Sequence, residues 1–281
     1  MSRYRTLLAL HPLEDPLSAL RPITTFAHAL EAHLDTVVLD RLAPIPTMTL
    51  MRDPACEWNI SLPEQFAALE RRSNAVERYL EDQGVEGSVN AEAQPLGLIG
   101  RAVATAALAS DLVVLTQPTS GPLVEGTMGR ALEGALFGAG KPVLVLEDAE
   151  AVPPPHRPGD VIVAWDGGRE AARAAQSALP LLIAAERVMV MVVESSGEFE
   201  LDESARRLRR HLLRHGIEAG IERVAPAGRF VTHAFAEHVA ARSPDLLVMG
   251  AYGHARLRER LFSGVTRTAL TELRTSLLLA H

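Results

Sequence analysis

The chain repeats itself, and this internal repeat limits the folds that are open to it. An apolar run that begins at Asp111, DLVVLTQP, returns at Asp245 as DLLVMGAYG, 134 residues later. The last apolar runs keep the same spacing, because VLVL begins at Val143 and LLLA begins at Leu277. Similar segments at a fixed offset predict two copies of one structural unit, and 281 residues are enough for two domains.

The first strands of the two copies are spaced more widely. TLLALHP begins at Thr6 and VIVAWDG begins at Val161, an offset of 155 residues. The first copy therefore contains 21 additional residues before its later strands. Residues Ala43 to Pro63 are rich in Pro and Met and show no clear period, so they are predicted to be a loop insertion.

A proline-rich linker separates the two copies. Residues 149–160, AEAVPPPHRPGD, contain four prolines and one glycine, and consecutive prolines favour an extended spacer. The linker predicts a first domain over residues 1–148 and a second domain over residues 160–281.

Near-continuous apolar strands alternate with helical segments in both copies. Residues 201–215 predict an amphipathic helix with Leu208, Leu212 and Leu213 on its apolar side. Further helices of the second copy are predicted over 169–185, 230–242 and 264–273. This alternation predicts an α/β fold made of two tandem doubly wound domains, each with a parallel sheet covered on both faces.

Composition limits the cellular setting and the class of partner. The formal net charge is −7, whereas a nucleic-acid-binding chain usually has a basic surplus. Cys56 is the single cysteine, so an intramolecular disulfide is impossible and a reducing compartment fits. No apolar stretch approaches the ~18 residues of a membrane span, and the N-terminus lacks a signal-peptide core. We therefore expect a cytoplasmic protein without nucleic-acid or membrane partners.

Candidate ligand residues follow two strands of the second copy. Asp166 and Gly167 follow the VIVA strand after one intervening residue, Trp165. The strand that starts at Asp245 is followed by GAYGHARLRERLFSGVTR, in which Gly250 and Gly253 have the spacing G-x-x-G. Glycines let backbone N–H groups approach phosphates, and the next helix offers unpaired N–H groups in its first turn. The residues that would line this helix start are Ser263, Gly264, Val265 and Thr266.

This order of parts resembles the universal stress protein family, whose phosphate motif is G-x-x-G, nine residues, then Gly followed by Ser or Thr. Ser263 stands where that family has the third Gly, and Gly264 stands where it has Ser or Thr. The resemblance implies that Asp166 contacts the nucleotide and that the backbone of Val193 meets adenine. It also implies five-stranded, flavodoxin-like domains that pair through their last strands. The tandem chain would then form an internal pseudo-dimer, and a further homodimer is compatible with this.

The first copy departs from the motif. His11 and Pro12 occupy the positions of Asp166 and Gly167, and Thr116 and Thr119 replace the two loop glycines. Gly129 aligns with Ser263 when no gap is allowed. We therefore expect a degenerate first domain with a structural or regulatory role.

Other polar residues are assigned plainer roles. The basic run at His254, Arg256, Arg258 and Arg260 is interpreted as a solvated helical face. Cys56 is predicted to be inert, because no histidine lies near it in sequence. Trp165 is predicted to be core and Glu194 a solvated strand end. His215 and His233 have no convincing metal-ligand spacing, and no catalytic triad, P-loop lysine or G-x-G-x-x-G motif is present.

The motif residues predict a protein that binds ATP or a related nucleotide, with Mg²⁺, and the family resemblance implies a role in stress response as a sensor or adaptor for a protein partner. Two alternatives remain open. One is a protein-interaction module that binds no ATP. The other is a slow nucleotide hydrolase, although no catalytic residue or protein-bound metal is assigned. At most weak ATPase activity is expected.

Overall fold

The computed structural model describes residues 4–42, 58–117, 123–147, 156–193, 198–226, 228–251 and 264–281. Most of the strands in these residues are runs of buried Val, Leu and Ile. The strands are β1 (Thr6–Pro12), β2 (His33–Arg41), β3 (Gly87–Gln94), β4 (Leu112–Thr116), β5 (Val143–Leu146), β6 (Asp160–Ala164), β7 (Arg187–Val193), β8 (Ala219–Val224), β9 (Leu246–Gly250) and β10 (Ser276–Ala280).

Helices connect nearly all successive strands. A short 3₁₀-helix, Leu17–Leu20, precedes the first of them, and a π-helix, Gly134–Gly138, continues the fourth. The described α-helices are α1 (Arg21–Leu30), α2 (Trp58–Asp82), α3 (Leu96–Ala107), α4 (Gly126–Glu133), α5 (Arg169–Ser177), α6 (Leu179–Ala184), α7 (Glu198–Arg214), α8 (Val231–Arg242) and α9 (Val265–Glu272).

All of these strands belong to one sheet in the order β3-β2-β1-β4-β5-β10-β9-β6-β7-β8. Neighbouring strands are parallel, except that β5 and β10 are antiparallel. Each half therefore has the doubly wound order 3-2-1-4-5, and the halves point in opposite directions. The predicted fold of two tandem, five-stranded, flavodoxin-like domains is confirmed. The carboxyl ends of the strands lie at opposite ends of the sheet in the two halves.

Two apolar layers cover the two faces of the sheet. Leu7 of β1 packs in one layer, beneath α1 and α2, whereas Leu8 packs in the other, beneath α3 and α4. This alternation follows from the two-residue period of a strand. Both layers continue across the junction of the halves, and residues of β10 belong to each: Leu278 to the first and Leu277 to the second.

Strands β5 and β10 join the two halves. Leu144 faces Leu278 in the antiparallel register, and both side chains are fully buried. A second link is the Tyr4 hydroxyl, which donates a hydrogen bond to the Ser177 carbonyl of α5 at 2.5 Å. Burial, with the negative charge of Asp111, raises the pKa of Tyr4 far above its usual value, so this hydroxyl remains a donor.

Two predicted boundaries were wrong. Helix α2 begins at Trp58, inside the segment 43–63 that was predicted to be a loop; residues 43–57 lie outside the described part of the chain. The helix predicted over 169–185 is divided at Ala178 into α5 and α6. Pro180 explains the break, because proline has no N–H to donate and its ring disfavours a helix interior.

Leu213 was also assigned to the wrong side of its helix. Leu208 and Leu212 are buried, but Leu213 is 58% exposed. Leu212 follows Leu208 by four residues and shares its face, whereas Leu213 is turned a further ~100° around the helix.

Candidate functional site

The candidate site of the second half lies at the ends of β6 and β9. These adjacent parallel strands pair Val163 with Val248, so they end at the same edge of the sheet. Asp166 follows β6 by two residues, and Gly250 is the last residue of β9. The strand order reverses between β6 and β9, and open α/β sheets bind ligands at the carboxyl edge of such a switch point.

Asp166 is held in a tight turn between β6 and α5. Its Oδ1 atom accepts a hydrogen bond from the Gly168 N–H at 2.7 Å. Gly167, between them, has a φ of 76°, which glycine adopts without the penalty of a side chain. An aspartate that accepts from the N–H two residues ahead stabilises this type of turn. Asp166 itself is exposed, so the turn fixes an acidic residue on the surface of the candidate edge.

Gly250 has a packing role that its sequence spacing does not reveal. A Cβ atom added here would lie 2.5 Å from the Ala171 nitrogen and 2.7 Å from the Glu170 carbonyl carbon. The end of β9 therefore passes directly against the backbone of the first turn of α5. Close approach, not a positive φ, accounts for this glycine, and its contact with a phosphate stays a prediction.

The residue after β9 is fixed on both sides. The Ala251 N–H donates to the Ala280 carbonyl at 2.8 Å, and the Ala251 carbonyl lies 2.9 Å from His281 Nδ1. The His281 carbonyl accepts a hydrogen bond from Arg173 of α5 at 2.6 Å. The His281 ring packs edge-on against Phe137 of the first half, with centroids 4.7 Å apart. The start of the predicted phosphate loop is thus connected to α5, β10 and the first half.

Helix α9 begins with a glycine that its backbone requires. Gly264 is the N-cap, with φ 71° and ψ −140°, and its carbonyl accepts from the Thr268 N–H at 3.1 Å. A Cβ added to Gly264 would meet no atom within 4 Å, so conformation rather than space selects glycine. The N–H groups of Val265 and Thr266 precede the first helical hydrogen bond. The Thr266 side chain is buried, with 5% exposure.

Several predicted residues lie outside the described part of the chain: Gly253, Ser263, Glu194, Cys56, Thr119 and the basic run His254, Arg256, Arg258 and Arg260. Val193 is described. It ends β7, is half-buried and pairs with Val224 of β8. Trp165 is half-buried against the core and donates from Nε1 to Ser204 Oγ at 3.0 Å.

Glu170 is a buried acid beside the site, and it was not identified from the sequence. Glu170, in the first turn of α5, is 7% exposed, and its Oε1 accepts from Arg169 Nη2 at 2.7 Å. Burial acts to raise the pKa of Glu170. Hydrogen bonds from Arg169 and from its own backbone N–H, together with the charges of Arg169 and His281, lower that pKa below its ordinary value. An acid just after a glycine N-cap is the sequence signal that would have found it.

The corresponding edge of the first half is different. His11 is 2% exposed, and its Nε2 atom has no hydrogen-bond partner. Asp15, four residues later, is also buried, so an acid lies near this edge after all. Thr116 at the end of β4 is buried. Gly129 lies inside α4, where a Cβ would come within 2.6 Å of the Val124 carbonyl oxygen, so it is not at a helix start as its alignment with Ser263 predicts.

No group of three or more His, Cys, Asp or Glu side chains in the described ranges is arranged to hold a metal ion. None of the helices in those ranges is both long and apolar enough to cross a membrane.

Solved structures share this tandem fold over nearly the whole chain. A universal stress protein from Archaeoglobus fulgidus DSM 4304 has a TM-score of 0.63 at 13% identity, and 97% of each chain is covered. A putative universal stress protein from Pseudomonas aeruginosa UCBPP-PA14 has a TM-score of 0.59 at 17% identity, with 99% of this chain and 93% of that chain covered. A functionally unknown protein from Pseudomonas aeruginosa PAO1 has a TM-score of 0.58 at 18% identity, with 99% and 92% covered.

Comparison with protein-family models found no match, and comparison with curated proteins found no similar sequence. The likeness to the solved structures shows that the chain has the tandem fold of universal stress proteins. At these identities the likeness describes the fold, and a function has to be argued from the site itself.

Proposed function

We propose that this chain binds ATP or a related nucleotide in its second half and acts as a cytoplasmic sensor or adaptor in a stress response. One observation carries the proposal. Asp166 follows β6 at the carboxyl edge of the sheet, and α9 connects the parallel neighbours β9 and β10, so its N-terminal end faces the same edge. This arrangement would supply an acceptor for the nucleoside and a helix N-terminus for the phosphates at one switch point.

Each predicted residue has a distinct task in this proposal. Asp166 accepts hydrogen bonds from ribose hydroxyls or the adenine amino group. The first N–H groups of α9, from Val265 and Thr266, donate to phosphate oxygens. Gly253 and Gly264 allow the backbone to approach the phosphates, and the backbone of Val193 meets adenine. Mg²⁺ would be held largely by the phosphates and water, as is usual for this ion.

Nucleotide binding would act by shifting the population of a state that a protein partner recognises. The Ala251 N–H donates to the Ala280 carbonyl, the Ala251 carbonyl contacts His281 Nδ1, and the His281 ring packs on Phe137, which offers a path from the loop to the first half. The first half would serve as a degenerate domain with a structural or regulatory role. We assign no general base for water, so any hydrolysis is expected to be slow.

A second candidate is a protein-interaction module that binds no nucleotide. The order Ser263–Gly264, which reverses the Gly and Ser/Thr of the phosphate motif, favours this candidate. The phosphate motif of the universal stress protein family has Ser or Thr where this chain has Gly264, so the side-chain hydroxyl of the motif is absent here. The third candidate, a slow nucleotide hydrolase, would require turnover that exceeds the background of an Asp166→Ala variant.

Isothermal titration calorimetry with MgATP tests the proposal, after bound nucleotide has been assayed and removed from the purified protein. We expect micromolar or tighter binding. Asp166→Ala and Gly253→Val should each weaken it by at least about tenfold, which corresponds to about 1.4 kcal/mol. Thr119→Val, at the counterpart of Gly253 in the first half, is the matched control and should leave the affinity unchanged.

Circular dichroism and thermal melts would establish that each variant is folded. Absence of binding to folded, nucleotide-free wild-type protein would reject the nucleotide proposal and leave the interaction module. Binding that is lost in Thr119→Val but kept in Gly253→Val would show that the site lies in the first half.

A further inference from the structure

The helices α2 and α7 end in the same backbone motif at opposite outer edges of the sheet. Gly84 and Gly216 follow the two helices with φ values of 65° and 80°. In each motif the next residue donates back into the last turn: Val85 N–H to the Leu80 carbonyl and Ile217 N–H to the Leu212 carbonyl, both at 3.0 Å. A glycine in the left-handed region with this return bond is a standard helix ending.

An offset of 132 residues superposes the two motifs; it pairs two acids of α2 with two arginines of α7, whereas Arg78 and Arg210 at the same offset are both basic. Glu77 corresponds to Arg209, and Asp82 corresponds to Arg214. Two sets of residues define the surfaces. The acidic end of α2 comprises Glu77, Glu81, Asp82 and Glu86, which are all exposed. The basic end of α7 comprises Arg209, Arg210, His211, Arg214 and His215.

Local helix stability explains only one of these two ends. Cations at a helix C-terminus interact favourably with the helix dipole, so the basic end of α7 stabilises its own helix. Glu81 and Asp82 stand in the last turn of α2, where no basic residue is present. An acid at such a position interacts unfavourably with the helix dipole. The acidic end of α2 therefore has a cost within the chain that requires another explanation.

Most charges at the two ends have no ion-pair partner among the residues that the structure describes. Among the described residues, Arg209 and Arg214 form no ion pair, nor does any carboxylate of the acidic end. Arg210 of the basic end is the exception, because it lies 2.9 Å from Glu203; Arg223 of β8 pairs with Asp202. The charges without an ion pair in the described residues are thus those of Arg209, Arg214 and the acidic end of α2.

The two ends cannot meet within one molecule. Helix α2 packs on β3 and helix α7 packs on β8, and β3 and β8 are the two outer strands of the sheet. The basic end also presents Leu213, which is 58% exposed among the arginines and gives an apolar contact point. A second copy of the chain carries the charge complement of each end.

We propose that the acidic end of α2 on one copy docks on the basic end of α7 on a second copy. The contact is head to tail, because it joins different surfaces of identical chains, and repetition produces a ring or an open chain of copies. Complementary charges specify this partner and its orientation, while Leu213 contributes apolar contact. Exposed ion pairs are screened by salt, so the association is weak and weakens as ionic strength rises.

Sedimentation velocity at increasing protein concentration tests this, in about 50 mM and about 500 mM NaCl. We expect concentration-dependent growth at low salt and at least about a tenfold weaker association constant at high salt. Two charge-reversal variants, Arg209→Glu with Arg214→Glu and Glu77→Arg with Asp82→Arg, should each sediment as monomers. The control, Arg101→Glu with Arg274→Glu, changes the net charge by the same amount as the first variant at exposed sites elsewhere and should associate like wild type.

Mixing the two charge-reversed variants is the decisive experiment for this contact. The first has two acidic ends and the second has two basic ends, so the mixture should associate although neither variant does alone. Wild-type protein that remains monomeric at low salt would overturn the proposal. So would reversed variants that still self-associate, or a mixture that stays monomeric, because the charged ends would then serve a different partner or none.

Discussion

His11 is a buried histidine whose environment favours its neutral form. It is 2% exposed, and its Nε2 atom has no hydrogen-bond partner. Burial lowers the pKa of His11 to about 4; the nearby Asp15 carboxylate raises this pKa, and the Arg72 guanidinium lowers it further. In the unfolded chain a histidine titrates near pH 6.5. Folding at mildly acidic pH must therefore remove a proton from this residue.

We predict that His11 makes the protein less stable as pH falls. The unfolded state binds more protons between pH ~6.5 and ~4, so this contribution to stability is complete above pH ~6.5 and is lost as pH falls through that window. The total loss is at most about 3 kcal/mol. Urea unfolding at pH values of about 7.5, 6, 5 and 4.5 would measure this loss of stability.

His11→Leu should flatten this pH dependence, because leucine fills the same apolar layer without a titrating group. His28→Gln is the control: His28 is exposed on α1, and its variant should keep the wild-type slope. A His11→Leu protein with the full acid sensitivity of wild type would assign the effect to other groups.

At the same scale, single residues show how far sequence spacing could predict the site. It identified Asp166 as a residue at a strand end, because a strand followed by a glycine turn is a local pattern. It could not show that Gly250 is needed for contact with α5, because that contact joins segments about 80 residues apart in sequence. Glu170 and Asp15 were missed for the same reason, since their burial depends on packing from distant elements.

Helix α3 and the π-helix after α4 are in direct backbone contact. A Cβ added to Gly134 would lie 2.1 Å from the Gly100 carbonyl oxygen, and one added to Gly100 would lie 2.9 Å from the Arg130 carbonyl oxygen. The offset of 134 residues places Thr268 opposite Gly134 in the second half. This close helix pair is therefore a feature of the first half.

We predict opposite effects for two glycine-to-alanine changes in these helices. Gly134→Ala should reduce the free energy of unfolding by about 1–3 kcal/mol, because the added methyl forces the helices apart. Gly97→Ala in α3 should be neutral or raise stability by up to about 1 kcal/mol, because a Cβ there meets no atom within 4 Å. Urea titration of both variants measures the difference. Equal effects would show that the helices are not in backbone contact.

At this scale the order of elements was predictable and their ends were less so. Apolar strands that alternate with helical segments predict a parallel sheet without any knowledge of the tertiary contacts, and for this reason the predicted fold class was correct. The division of the 169–185 helix at Ala178, the π-helix at Gly134 and the early start of α2 at Trp58 depend on packing against neighbours. Residue periodicity does not encode those contacts.

The whole molecule is organised around one continuous sheet. The antiparallel pair of β5 and β10 joins the two halves, and buried residues of both halves belong to the same apolar layers. Repeat units with separate cores would unfold separately, whereas a shared core couples them. The proposed site of the second half would then depend on the stability of the first half.

Leu144 tests this coupling, because it belongs to the first half but packs against Leu278 of the second. Leu144→Ala should reduce the free energy of unfolding by about 2–5 kcal/mol. The two tryptophans permit a local measurement: in a Trp58→Phe background, Trp165 reports on the second half alone. We expect the Trp165 fluorescence midpoint in urea to fall as far as the midpoint from circular dichroism, in one transition.

Leu212→Ala, in α7 of the second half and far from β5, provides the comparison, because Leu212 is also fully buried. If the sheet unfolds as one unit, both variants should shift both probes together, although the two changes lie in different halves. If Leu144→Ala leaves the Trp165 midpoint at its wild-type value while the circular dichroism transition splits, the halves unfold independently. The junction between β5 and β10 would then hold the halves together without making them cooperative.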